Sequence, residues 1–138
     1  MANATQDRSA PELAVSSAQF APLEFPVAAN TTLYSGSAAQ LDAAGRLVPA
    51  AGTGPTVGRV EQTVTNGATA GAVLGCVKPG TFGFFSTGIQ ADDIGKRCKF
   101  TDSQTVALAV DGDCVVAWIE RGLTYVKVGP PAANPAVP

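Results

Sequence analysis

Histidine is absent from the 138 residues of this chain. Its absence removes the histidine-dependent catalytic triads, the usual proton shuttle near neutral pH and the commonest zinc ligand together. Charge is also sparse, with nine basic and eleven acidic side chains and a net charge of -2. Such a chain has no surplus of cations to displace counterions from a phosphate backbone, so a nucleic-acid partner is not expected. Lys96, Arg97 and Lys99 form a local basic cluster. They are fewer than a phosphate-binding stripe draws on and have no aromatics interleaved, and they read as a solvated face. The three cysteines, Cys76, Cys98 and Cys114, include no C-x-x-C pair and match no zinc spacing. They read as small buried hydrophobes. No window approaches eighteen uninterrupted apolar residues, and "MANATQDRSAPELAV" has no basic stretch leading into an apolar run. The expectation is a soluble protein with no membrane span and no secretory signal.

What is abundant is turn chemistry: 15 Gly and 10 Pro accompany 46% hydrophobic residues. That balance suits short strands joined by many turns, and a chain of this length buries roughly two-thirds of its unfolded surface as one domain. Residues 1–22 are rich in Ala, Ser, Gln and Pro and read as an extended N-terminal arm, because Pro11 and Pro22 remove backbone donors and disfavour helix before them. Residues 129–138, "GPPAANPAVP", carry four prolines and read as a polyproline-like tail. The domain proper is expected over residues 23–128.

Within it, "LDAAGRLV" places Asp42 and Gly45 as a tight hairpin requires, and Asn66-Gly67, Asp111-Gly112 and Arg121-Gly122 punctuate further apolar runs. Thr124, Val126 and Val128 alternate with Leu123, Tyr125 and Lys127, the period-two pattern of a half-buried strand. Phe82, Phe84, Phe85, Phe100, Trp118 and Ile119 are expected to fill one core, and Gly83 marks a bulge or a close approach. The fold class is therefore all-β: a compact small barrel or sandwich of about ten short antiparallel strands with one short helical turn.

The most charged stretch, "ADDIGKRCKFTD" (91–102), is the first candidate for chemistry. Asp92 or Asp93 would cap a single helical turn and Gly95 would end it in a left-handed conformation. The alternative, a divalent cation on the two carboxylates, lacks the spaced oxygen ligands of a calcium loop. "DGD" (111–113) likewise lacks the distal glutamate such a loop uses and fits a turn. Cys98 has three cationic neighbours, which lower a thiol pKa, but no base is available to activate it. On a strand Arg97 and Lys99 point away from it, so an inward cysteine is expected. "GTGP" (52–55) lacks the Gly-Lys-Ser/Thr ending of a phosphate loop and reads as a turn. No catalytic residue, cofactor or metal is expected.

The order of the runs carries more than any run alone. "FPVAANTTLYSGSAAQLDAAGRLVPA" (25–50), "VGRVEQTVTNGATAGAVLGCVKPGTFGF" (57–84) and "ADDIGKRCKFTDSQTVAL" (91–108) together resemble the capsid-cement, or head-decoration, proteins of tailed bacteriophages. The shared pattern runs from a strand ending in "PVAA", through an L-D-A-x-G hairpin, a V-G-x-V-x-Q-T-V-x-N strand and turn and a V-K-P-G-x-F strand, to the A-D-D-I-G-K turn before "DSQTV". The resemblance covers residues 23–128. It implies a β domain, made in the host cytoplasm, that binds the outer surface of the expanded head at capsomer junctions and strengthens it. The implied partners are the major capsid protein and neighbouring copies of the chain, a trimer suiting a threefold junction. The arm is more apolar and less basic than the family pattern. Leu13, Val15, Phe20, Leu23 and Phe25 are the candidate anchors, laid against a capsid subunit or a neighbouring copy as an added strand. For Leu23 and Phe25 completion of the domain's own core is the competing reading. The alternative function is a β-type ligand- or glycan-binding module on a virion surface, with Trp118, Tyr125 and Tyr34 as stacking platforms.

Overall fold

The computed structural model describes residues 3–8, 10 and 22–128. They form twelve strands: β1 (Leu23–Pro26), β2 (Thr32–Leu33), β3 (Ala38–Leu41), β4 (Leu47–Pro49), β5 (Thr56–Val60), β6 (Val64–Thr65), β7 (Leu74–Lys78), β8 (Gly80–Thr87), β9 (Arg97–Asp102), β10 (Thr105–Leu108), β11 (Cys114–Glu120) and β12 (Leu123–Val128). A single 3-10 turn, Ala91–Asp93, is the helical element among the described residues. The two strands beyond the expected ten include the two-residue pair β2 and β6, too short to show a period of two.

The C-terminal half closes into a five-stranded barrel in the order β10-β8-β12-β11-β9. All its pairs are antiparallel except β8 with β10, which run parallel. Closure leaves no free edge on this half. The N-terminal half is a five-stranded sheet in the order β1-β7-β5-β3-β4. A bridge between Val27 and Leu47, with the Ala28 N–H donating to the Leu47 carbonyl at 3.1 Å, draws its two edge strands together.

Two interiors result where the aromatic pattern led us to expect one. Phe82, Phe84, Phe100, Val106, Val116 and Val126 fill the barrel with Cys98 and Cys114, and Phe84 meets Phe100 edge to face with centroids 4.8 Å apart. Val27, Leu33, Leu47, Val57, Val60 and Val77 fill the other half. Strand β3 divides them, because adjacent residues on a strand face opposite ways: Ala38 faces the barrel core and Ala39 the other. Small residues at both positions let the two layers approach closely. At about 1.5–3 kcal/mol for each fully buried large apolar side chain, both cores contribute substantially to stability.

Trp118 and Phe85 depart from the expected core: they are 49% and 39% exposed on the outside of the barrel. The register of β11 against β12 shifts between Val116 and Trp118. One extra residue there turns Trp118 outward while Val116 stays buried. Its register partner Tyr125 also faces outward, over Gly83, where an added Cβ would lie 3.3 Å from the tyrosine ring. Gly83 is thus a close approach of side chains to backbone.

Candidate functional site

The turn at residues 90–96 is built by capping. Asp93 Oδ2 accepts from the Gln90 N–H at 2.9 Å, and the Asp93 N–H donates to the Gln90 carbonyl. Lys96 Nζ meets Asp93 Oδ1 at 2.9 Å. The Gln90 N–H, then the Lys96 ammonium, hold the Asp93 carboxyl below the usual carboxylate range, and Asp93 raises Lys96 in return. Gly95 takes φ of 93°, as a left-handed stop requires. Asp92 is exposed. The two adjacent carboxylates therefore diverge, one into the turn and one into solvent.

The "DGD" carboxylates also part. Asp111 reaches Lys99 at 3.6 Å on the surface. Asp113 clips the halves together: its Oδ2 accepts from the Thr56 N–H at 2.7 Å, and its Oδ1 is 3.4 Å from Cys114 Sγ. Gly112 sits so close to the Cys98 carbonyl that an added Cβ would be 2.1 Å from its oxygen. Among the described residues no group of three or more acidic or cysteine side chains gathers to hold a metal ion. Cys98 and Cys114 are directly opposed on β9 and β11 and buried. Burial first, then the Asp113 charge, pushes the Cys98 thiol up to about 12 and Cys114 well above its ordinary value. Cys76 is raised by burial and by Glu61 and Glu24. All three thiols stay protonated near neutral pH, the opposite of an activated nucleophile.

Of the apolar anchor candidates, Leu13, Val15 and Phe20 lie outside the described residues. Leu23 and Phe25 pair with Val77 and Gly75 across β1 and β7 and pack half-buried on the N-terminal core. Of the stacking candidates, Trp118 is exposed, Tyr125 is 8% exposed beside it, and Tyr34 belongs to the other half of the molecule, between β2 and β3.

The feature that sequence patterns did not show is the course of residues 3–8 and 10. They lie across the seam between the halves as a strap. Asn3 Oδ1 accepts from the Ser103 N–H and the Ala4 N–H donates to Ser103 Oγ, both at 2.9 Å. Asp7 accepts from the Thr63 hydroxyl. The Arg8 N–H donates to the Ser35 carbonyl and its Nη1 to the Gly36 carbonyl, each at 3.0 Å. The Arg8 guanidinium stands 4.9 Å from the Phe85 centroid and 5.4 Å from that of Phe84. Arg59 lies 4.2 Å over the Phe82 ring and donates Nη1 to the Ala10 carbonyl at 2.7 Å. Ala10 itself is buried in the barrel core. Gly36, at φ of 87°, makes the crossing possible, since a Cβ there would be 2.1 Å from the Arg8 carbonyl oxygen. Glycine at that position was the available signal; nothing in the strap's own composition announced it.

No family model, no curated protein and no solved structure matches this chain.

Proposed function

We propose that this chain is a capsid-cement protein: a structural virion component that binds the outer surface of an expanded phage head at capsomer junctions and stabilises it. The observation that carries the reading is the ordered motif set lying along one doubly packed β body. L-D-A-x-G is the β3–β4 hairpin, V-G-x-V lies in β5, V-K-P-G-x-F joins β7 to β8, and A-D-D-I-G-K is the capped turn before β9. Two acidic residues of these motifs serve the fold: Asp42 Oδ1 accepts from the Ala44 and Arg46 N–H groups, and Asp93 caps its turn. A stiff body whose Asp42 and Asp93 are spent on its own turns suits a clamp, which works by surface contact.

The partners under this reading are the major capsid protein and neighbouring copies, with a trimer at a threefold junction, and neither nucleic acid nor a membrane takes part. Leu23 and Phe25 are engaged with the body's own core, so the grip falls to Leu13, Val15 and Phe20. Deleting residues 2–21 would also remove Arg8 and Ala10, which brace the body. The cleaner test is replacement of Leu13, Val15 and Phe20 by serine, followed by co-sedimentation with expanded, undecorated heads. Loss of binding with an unchanged unfolding midpoint is expected; undiminished binding would remove these anchors from the account.

A ligand-binding module is the second reading, favoured by one observation: exposed Trp118 beside Tyr125 on the outer barrel face. An exposed aromatic ring of this kind offers a face on which a sugar can stack. Quenching or shifting of Trp118 emission by an oligosaccharide would support it.

A further inference from the structure

We infer that the seam around Arg8 is a receptor for a carboxylate carried on an acidic peptide segment of a partner. The inference does not depend on the capsid reading.

Arg8 is a half-buried cation that has no counterion among the described residues. Its guanidinium has one hydrogen-bond acceptor among the described residues, the neutral Gly36 carbonyl, and no carboxylate among them contacts it. The nearby acids among the described residues are engaged elsewhere: Asp7 with the Thr63 hydroxyl, and Glu61 with Arg59 through Nε at 3.1 Å and Nη2 at 2.7 Å. Burial holds the Arg8 guanidinium below its ordinary value.

The geometry around it is that of a recess. Arg8, Ala10, Ser35, Gly36, Arg59 and Glu61 line one shallow depression, whose lining thus includes two guanidiniums and a single carboxylate, the latter paired with Arg59. A second depression on the other side of Arg8 is lined by Asn3, Thr5, Gln6, Phe85 and Gln104. Contact with the Phe84 and Phe85 rings restrains the guanidinium, which lowers the ordering entropy that engaging its fork would cost a partner. A carboxylate is the anion that fits. Its two oxygens match the planar fork, and its single charge balances the single excess positive charge. A phosphate dianion would stand against Glu61. The partly exposed Phe85 beside the recess adds an apolar contact, and Arg with an aromatic is the usual centre of a protein–protein contact.

The test is a titration of the full-length protein, labelled with nitrogen-15, with N-acetylated triglutamate amide, reading the Arg Nε–H signals and the Ser35 and Gly36 amides. Arg121, with its side chain 90% exposed, is the internal control. We expect a saturable shift at Arg8, Ser35 and Gly36 that the triglutamine analogue does not produce, and no saturable shift at Arg121. Arg8→Gln should weaken the response at Ser35 and Gly36 at least about tenfold, and Arg8→Lys, which keeps the charge and loses the fork, should weaken it less. An unshifted Arg8 at saturating probe, or equal responses at Arg8 and Arg121, would overturn the inference. The wild-type titration decides it whether or not either variant folds.

Discussion

Asp113 shows how much a single carboxylate does here, since it accepts the Thr56 backbone N–H and so joins β5 of one half to the head of β11 in the other. Replacing it by alanine leaves that N–H without its charged acceptor at the seam. We expect Asp113→Ala to cost about 1–3 kcal/mol in urea unfolding, and a loss below about 0.3 kcal/mol would contradict the clip. Asp93 acts within one turn and carries a pH signature. Its folded pKa is lowered, so it contributes stability above the unfolded value of about 3.9, and that contribution is lost as pH falls through the folded value. Asp93→Asn should therefore be less stable than the wild type near neutral pH, and the gap should narrow as the solution is acidified below about pH 4. A gap that stays constant with pH would show that the carboxylate charge is not the cause. For the thiols, Cys98 and Cys114 should resist an aromatic disulfide reagent at pH 8 until the protein unfolds. Rapid reaction of more than one thiol in the native state would contradict their burial.

Among the elements, the β11–β12 hairpin offers a stabilising change. Its turn residues Arg121 and Gly122 have φ of 54° and 76°, the pair of positive values a two-residue hairpin of this hand needs. Arginine is strained there and its side chain points into solvent. Arg121→Asn should raise stability by about 0.5–1 kcal/mol, read as a higher thermal midpoint, and no gain would mean that the turn is not limiting. This hairpin, the Asp42–Gly45 hairpin and the inward alternation of β12 were legible in the sequence because each rests on local chemistry. Trp118 was not. The bulge that turns it outward falls at Ala117, a residue with no preference for bulges, and only the register against Tyr125 reveals it. Nor was the strap: its ties run to Ser103, 100 residues away from Asn3, and no local period records a contact of that range. Asn66 was legible as a turn residue, but its buried amide does more, donating to the Val27, Ala28 and Thr69 carbonyls. The candidate site fared less well than the fold: three of its five anchors lie outside the described residues, and the other two serve the core.

At the scale of the whole molecule, the account is of two packed β halves that share strand β3, the Asp113 clip and the strap of residues 3–8 and 10. A body cross-linked in this way should unfold as a single unit. The fluorescence of Trp118, the only tryptophan in the chain, and the far-ultraviolet signal should follow one transition in denaturant. Two separated transitions would mean that the halves are independent. Such a body, with Asp42 and Asp93 of its motifs committed to structure, is what we read as a cement protein. The most direct measurement is co-sedimentation of the full-length protein with expanded, undecorated heads and with unexpanded proheads of the phage that encodes it. The account predicts saturable binding to expanded heads alone, at a stoichiometry that reports the symmetry of the site. Absence of binding to expanded heads, or equal binding to both shells, would contradict it.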